Sequence, residues 1–129
     1  MIHPNFTILY VDSPEASSRF YADLLGIYPV ETSPSFALFA LNSGLMLGLW
    51  SRHTVEPAAA EGQTGAFELA FPLRSYEEVD RTFSLWSTRG IDIRLPPKTL
   101  EFGRSFVATD PDGHRLRVFA PDEQEATDA

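Results

Sequence analysis

The sequence repeats one order of helix signals, and this repeat constrains the fold more than any other feature. Ser13 and Ser75 are each suited to cap the start of a helix, and they lie 62 residues apart. Gly26 and Gly90 are each suited to end that helix, and they lie 64 residues apart. One such module is too small to bury a sheet by itself, so the two modules are expected to pair.

Each module is predicted to contain a strand, a helix and three further strands. Alternation of apolar residues marks the strands, and capped apolar stripes mark the helices. The predicted strands cover 5–11, 27–31, 36–41 and 45–51 in the first module, and 66–73, 91–95, 104–109 and 114–119 in the second. The sequence therefore predicts an α+β fold of two βαβββ modules.

A tight turn is predicted between the last two strands of the second module. Asp110-Pro111-Asp112-Gly113 has Asp at the first, Pro at the second and Gly at the fourth position, which are the preferences of a type I turn. We expect this turn to place Thr109 opposite His114. Gly44 lies 69 residues before Gly113 and marks the corresponding hairpin of the first module.

The 129 residues are expected to form a single domain of two repeats. Module 1 covers about 3–54 and module 2 about 65–120, with a linker over 55–64 that is rich in Ala, Pro and Gly. The acidic segment 121–129 has few large apolar residues and is expected to be a disordered tail.

Charge and composition exclude several classes of function. The net charge of -8 argues against nucleic acid as a partner. There are no Cys residues, which excludes thiolate chemistry and disulfides and favours the cytoplasm. No apolar run is long enough to span a membrane. The three imidazoles, His3, His53 and His114, share no predicted face from which to bind a metal.

An aromatic site is predicted on the first module. In the strand 45–51, Met46, Gly48 and Trp50 share the face opposite the predicted core. Trp50 has the large flat face of a site for planar ligands, and Gly48 leaves room for a ligand to approach. The alternative for Trp50 is packing under the linker. Either Phe36 or Phe39 is expected near Trp50, because a register shift of one residue would exchange their faces.

A charged pair is predicted on the second module. Leu116 and Val118 lie on the core face of their strand, which leaves Arg117 on the other face. Glu68 occupies the corresponding face of the strand 66–73. Burial makes a lone charge costly, so we expect Glu68 and Arg117 to form a salt bridge. The alternative is that both are solvated. Phe106 shares the face of Arg117 if Thr109 lies opposite His114, and core packing is its alternative.

Two segments show a resemblance to a known family. Ser17 to Ile27, Ser-Ser-Arg-Phe-Tyr-Ala-Asp-Leu-Leu-Gly-Ile, and Asp110 to His114, Asp-Pro-Asp-Gly-His, resemble the glyoxalase, bleomycin resistance and dioxygenase superfamily. The resemblance implies that the two modules form a curved mixed-sheet cleft with helices on the outer face, and that the protein is a homodimer. Within the superfamily, Phe36 to Trp50 and Phe102 to Val118 look most like the phenazine antibiotic resistance proteins, which bind and sequester a planar drug without metal.

The enzymes of this superfamily hold a divalent metal through one residue on the first strand and one on the last strand of each module. The resemblance places these four positions at Phe6, Gly48, Glu68 and Arg117. Phe6 and Gly48 have no ligating side chain, and the guanidinium of Arg117 repels a cation. No metal or other cofactor is therefore expected.

The sequence predicts a metal-free protein that binds a planar aromatic small molecule, such as a phenazine, and confers resistance by sequestering it. The predicted ligand-binding residues are Tyr10, Phe36, Met46, Gly48, Trp50, Glu68, Phe106 and Arg117. Two rival hypotheses stay open. One is an enzyme, a lyase, isomerase or dioxygenase, with an atypical site in which Glu68 acts as base. The other is an interaction module whose aromatics only fill an interface.

Overall fold

The computed structural model describes residues 2–60, 64–101 and 103–121. Within these ranges, the chain forms two four-stranded mixed sheets and two helices, which confirms the predicted α+β class. The described residues divide into two compact units, with the boundary between residues 62 and 63. No helix in the described ranges is long and apolar enough to cross a membrane.

The first unit contains β1 (Phe6–Val11), α1 (Pro14–Leu25), β2 (Glu31–Thr32), β3 (Phe36–Ala40) and β4 (Met46–Ser51). Its strand order is β1-β4-β3-β2, with β1 and β4 parallel and the other pairs antiparallel. Sequence prediction was wrong for β2, which was expected over 27–31. Pro29 has no backbone N–H to donate to a ladder, so pairing there begins only with the N–H of Val30, which donates to Leu38 O at 2.8 Å.

The second unit contains β5 (Glu68–Pro72), α2 (Tyr76–Thr88), β6 (Asp92–Leu100), β7 (Gly103–Thr109) and β8 (Arg115–Pro121). Its strand order is β5-β8-β7-β6, with β5 and β8 parallel. The two units therefore repeat one topology, as the spacing of the caps predicts. Strand β8 was expected over 114–119 and extends to Pro121, the first residue of the predicted tail. The other tail residues, 122–129, lie outside the described ranges.

Strand β6 is longer than predicted, since it was expected over 91–95 and runs from Asp92 to Leu100, through Pro96 and Pro97. It lies at the edge of its sheet, where a residue without an N–H is tolerated on the side facing solvent. The register to β7 shifts twice around the prolines, between Ile93 and Leu95 and again between Leu95 and Lys98. These irregularities let the strand pass the prolines and continue to Leu100.

The two helices begin with the predicted serine caps. Ser13 Oγ accepts a hydrogen bond from Ala16 N at 3.1 Å, and Ser75 Oγ accepts one from Glu78 N at 3.1 Å. The Glu78 carboxylate in turn accepts from Ser75 Oγ at 3.4 Å. Each helix packs on strands of its own unit: α1 on β3 and β4, and α2 on β6, β7 and β8. Each sheet consequently has one face that its helix covers and one opposite face.

The helix-covered faces carry the large buried side chains. In the first unit these are Leu9, Val11, Tyr21, Phe39, Leu47 and Leu49. In the second unit they are Leu69, Val79, Trp86, Phe106, Leu116 and Val118. Trp86 makes edge-to-face contacts with both Phe71 and Phe106, at centroid distances of 5.8 and 5.3 Å. The predicted core faces of β4 and β8 are therefore confirmed, and the candidate site residues lie on the opposite faces.

Candidate functional site

The face of the first sheet opposite α1 carries a row of aromatic side chains. Strand β4 lies between β1 and β3, and the register places Trp50 directly between Tyr10 and Phe36. Residues paired in this way project from the same face of the sheet. The rings of Phe36 and Trp50 meet edge to face, with centroids 6.0 Å apart and an interplanar angle of 87°. Of the two candidates expected near Trp50, Phe36 is therefore the neighbour, while Phe39 is buried on the other face.

We call this surface the aromatic face, and it consists of Phe6, Ile8, Tyr10, Phe36, Leu38, Met46, Gly48 and Trp50. Phe6, Ile8 and Tyr10 retain 44%, 42% and 43% of their accessible surface. Adjacent large apolar side chains with this exposure are uncommon on a surface that only meets water, and such patches usually mark binding sites. The alternation that exposes them also buries Leu9 and Val11 on the opposite face, so the exposure follows from the strand register.

Gly48 lies at the centre of the aromatic face, but the space above it is not open. A Cβ added to Gly48 would lie 2.9 Å from Cζ of Phe36 and 3.0 Å from Cε1 of Phe6. The two rings thus approach from opposite diagonals and cover the glycine, which is buried. The expectation that Gly48 leaves room for a ligand is corrected here: its missing side chain makes room for the rings of Phe6 and Phe36.

The face of the second sheet opposite α2 carries the predicted ion pair. Arg117 Nε donates to Glu68 Oε1 at 2.7 Å, and Nη2 donates to Oε2 at 2.8 Å. This is the bidentate geometry in which a guanidinium binds a carboxylate most strongly. The Nη1 of Arg117 donates to the hydroxyl of Ser105 on β7 at 3.0 Å. The predicted salt bridge between Glu68 and Arg117 is confirmed.

Glu68 and Arg117 stay ionised because each stabilises the charge of the other. The hydrogen bonds from Arg117 lower the pKa of Glu68, helped by the charges of Arg117 and Arg115 and opposed by partial burial. The hydrogen bond to Glu68 likewise raises the pKa of Arg117. A carboxylate whose pKa is lowered in this way is a weak proton acceptor at neutral pH, which disfavours Glu68 as a general base.

Phe106 does not belong to this charged face. The hairpin pairs Asp110 with His114, since Asp110 N donates to His114 O at 3.0 Å, and Thr109 then lies opposite Arg115. The expected pairing of Thr109 with His114 was therefore wrong by one residue. That shift turns Phe106 toward α2, where it is fully buried and its centroid lies 5.5 Å from that of Phe83.

The structure thus places the predicted site residues in two groups and excludes one residue, Phe106, from both. Tyr10, Phe36, Met46, Gly48 and Trp50 share the aromatic face, and Glu68 and Arg117 pair on the second sheet, whereas Phe106 packs in the core. Sequence reasoning did not assign ligand contacts to Ile8, although the alternation of β1 places it between Phe6 and Tyr10. It also missed Ser105 and Arg115, since only the register of β7 and β8 brings them beside the ion pair.

The four positions at which the resemblance places metal ligands form two equivalent pairs. In β1 and β4, Gly48 stands two residues beyond Met46, the direct partner of Phe6. In β5 and β8, Arg117 stands two residues beyond Arg115, the direct partner of Glu68. The two pairs thus occupy the same diagonal position in their sheets.

The side chains at these positions do not suit a divalent cation. One pair offers no ligand atom, and in the other a guanidinium already occupies both carboxylate oxygens. Across the described parts of the chain, no group of three or more His, Cys, Asp or Glu residues could hold a metal ion. Of the imidazoles, His53 binds Asp12 through Nε2 at 2.6 Å on the exposed surface of the first unit.

Comparisons with known proteins agree with these features. The model of the glyoxalase/bleomycin resistance protein/dioxygenase superfamily matches residues 3–118. The phenazine antibiotic resistance protein EhpR of Enterobacter agglomerans is 32% identical over 120 residues, which cover 91% of each protein.

Two solved structures extend the comparison. A protein of Agrobacterium tumefaciens, determined by NMR in solution, is 55% identical with a TM-score of 0.86, over 94% of this chain and 98% of that one. A glyoxalase/bleomycin resistance protein/dioxygenase from Nocardioides is 30% identical with a TM-score of 0.81, over 95% of this chain and 85% of that one. With the family model spanning nearly all of the two repeated units, this chain belongs to the glyoxalase/bleomycin resistance protein/dioxygenase superfamily.

Proposed function

We propose that this protein binds a planar aromatic small molecule of the phenazine type on its aromatic face, without a metal, and confers resistance by sequestering it. The observation that carries the proposal is the row of Tyr10, Trp50 and Phe36 on a half-exposed apolar face. Offset or edge-to-face contacts with such rings add roughly 0.5–1.5 kcal/mol to the apolar burial of a flat ligand. The similarity to a protein named for phenazine antibiotic resistance supports this ligand class.

Binding without a metal is supported by the donor set at the four family positions. Phe6 and Gly48 turn the first pair into an apolar contact. Glu68 would have to leave Arg117 before it could bind a cation, and the cation would then face an uncompensated guanidinium. Elemental analysis of the purified protein is therefore expected to find less than one Zn, Ni, Fe or Mn per chain. A stoichiometric metal would favour the enzyme hypothesis instead.

Tryptophan fluorescence tests the proposal directly, because the chain contains two Trp residues in different surroundings. Trp50 lies on the aromatic face, whereas Trp86 is 5% exposed in the core of the second unit. A phenazine that stacks on the aromatic face should quench Trp50 in a saturable manner. The variant Trp50→Phe keeps Trp86 as an internal reference. Its fluorescence should decrease only because the phenazine itself absorbs light, by the amount measured for free tryptophan under the same conditions.

The outcomes of this titration separate the hypotheses. Saturable quenching that disappears in Trp50→Phe supports the proposed site. Equal quenching in both proteins would place the ligand elsewhere and contradict it. No saturable response to any member of a phenazine panel would favour the interaction module, in which the aromatic face contacts protein. The homodimer implied by the resemblance stays a prediction, and light scattering after gel filtration measures it.

A further inference from the structure

Arg115 stands beside the Glu68–Arg117 ion pair without a close partner of its own among the described contacts. It lies directly opposite Glu68 in the register of β5 and β8, yet its Nη1 is 4.0 Å from Glu68 Oε2. Both oxygens of Glu68 already accept hydrogen bonds from Arg117, at 2.7 and 2.8 Å. The side chain of Arg115 is 49% exposed, so its donors are accessible from solvent.

These three side chains leave an excess of positive charge at one place on an acidic protein. Two guanidiniums and one carboxylate give the cluster a net charge of +1, whereas the chain carries -8. Asp92 stands in the same row of the sheet as Arg115, beyond Thr109. Its carboxylate accepts a hydrogen bond from Thr109 Oγ1 at 2.8 Å and is 3.2 Å from Arg94 Nε. Asp92 is thus paired with other residues, on the edge strand β6.

The Arg115 side chain lies near Gly65, in the backbone before β5. Gly65 has φ of 89°, and a Cβ added to it would lie 3.8 Å from Arg115 Nε, an ordinary van der Waals distance. On the other side, Arg117 is fixed by Glu68 and by the buried hydroxyl of Ser105. The Arg115 guanidinium, whose side chain is 49% exposed, can present its N–H groups to a ligand beside this fixed pair.

We propose that Arg115 binds the carboxylate of a small organic acid, with the Glu68–Arg117 pair as the rigid support beside it. A guanidinium matches the planar fork of a carboxylate, and the bond is charge-assisted. A monoanion balances the net charge of the cluster. A phosphate dianion would exceed it and would lie close to the Glu68 carboxylate, so the carboxylate is favoured. The site involves the second unit only and does not depend on ligand binding to the aromatic face.

Titration with benzoate and benzamide, followed by NMR, tests the proposal with two probes that differ only in charge and hydrogen bonding. Benzoate should shift the side-chain N–H signals of Arg115 in a saturable manner. Benzamide should leave these signals unchanged. Arg115→Gln should weaken benzoate binding at least about tenfold.

Arg94→Gln is the matched control, because it also removes one exposed positive charge from the second unit. It should leave the affinity for benzoate unchanged. Arg115→Lys keeps the charge but not the fork, so it should bind with an affinity between those of the wild type and Arg115→Gln.

Several results would overturn the site. They are the absence of a saturable benzoate shift, equal shifts with benzamide, an equal loss in Arg94→Gln, or an affinity for benzoate that Arg115→Gln leaves unchanged. Tighter binding of inorganic phosphate than of benzoate would overturn the assignment to carboxylates. None of these results reports on the fluorescence of Trp50, so a failure here is distinguishable from a failure of the proposed phenazine site.

Discussion

The two sheets share one plan and differ in the chemistry of the face that their helices leave uncovered. In each unit a first strand lies parallel to the last, and a diagonal pair of residues joins them. In the first unit that pair is Phe6 and Gly48, where a ring lies over a glycine. In the second it is Glu68 and Arg117, which form a bidentate ion pair. The strand register determines which two residues are diagonal neighbours, and their side chains determine whether the contact is apolar or ionic.

These are the four positions at which the resemblance places metal ligands. A cation at these positions would tie the first and last strands of each unit together. Here an aromatic contact connects them in one unit and an ion pair in the other. The following changes test whether the two contacts have the separate roles assigned to them, from the largest expected effect to the smallest.

Removing the indole should affect ligand binding and little else. Trp50→Ala is expected to weaken phenazine binding about tenfold to a hundredfold, a loss of about 1.4–2.8 kcal/mol. The fold should persist, because Leu47 and Leu49 fill the buried face of the same strand. Calorimetric titration measures the affinity. Tyr28→Ala is the control, since it removes another aromatic ring of the first unit that is 89% exposed, and its affinity should match the wild type.

Breaking the ion pair should affect stability. Glu68→Ala leaves the Arg117 guanidinium, which is 21% exposed, with Ser105 as its one remaining hydrogen-bond partner among the described residues. The free energy of unfolding is expected to fall by roughly 1–2 kcal/mol. Urea denaturation of Glu68→Ala, Arg117→Met and the double variant gives the coupling energy of the pair. Additive losses in the two single variants would mean that the pair contributes nothing as a pair.

Filling the space at Gly48 should disturb the rings above it. In Gly48→Ala the new methyl group would lie 2.9 Å from Cζ of Phe36, so the ring must move. Because Phe36 is partly exposed, we expect a loss of no more than about 1 kcal/mol in the free energy of unfolding. Phenazine binding should weaken several-fold.

The double variant Gly48→Ala with Phe36→Leu serves as the control for Gly48→Ala, because the smaller side chain removes the clash with the Phe36 ring and leaves only the contact with Phe6. Its NMR spectrum should show the β4 signals returning toward those of Phe36→Leu alone. If the Phe36 ring signals of Gly48→Ala match those of the wild type, the missing side chain of Gly48 does not provide the space that the rings occupy.

Acid should weaken the second unit through Glu68. The pKa of Glu68 is lowered below its ordinary value of 4.5, so its contribution to stability is fully present above that pH. The contribution is lost as the pH falls through the lowered pKa. In Glu68→Gln this part of the pH dependence should be absent, and the stability difference from the wild type should shrink between neutral pH and acid. A difference that stays constant down to acid would contradict the assigned pKa direction.

Much of this arrangement could be predicted from the sequence, because it rests on strong local signals. The alternation of β1 separates Tyr10 from Val11, and the serine caps fix both helix starts. The ion pair was predictable from opposite charges on faces that had to be desolvated together.

The placement of Phe106 was not predictable in the same way, since it depended on the size of one loop. The turn itself forms as expected, with Gly113 N donating to Asp110 O at 3.0 Å, but Gly113 has φ of 88° and adds one residue to the loop. That single residue exchanges the two faces of β7 relative to the predicted register. The contact of the Phe6 and Phe36 rings with Gly48 could not be predicted for another reason. The diagonal approach of the two rings depends on their rotamers, which strand periodicity does not encode.

The irregular strand β6 has a consequence for the behaviour of the protein at high concentration. A regular strand at a sheet edge can act as a template for a strand of another molecule, which leads to aggregation. Pro96 and Pro97 cannot donate hydrogen bonds, and the two register shifts interrupt the spacing of the remaining donors. An incoming strand would find no continuous ladder there, so this edge is expected to resist the growth of intermolecular sheets.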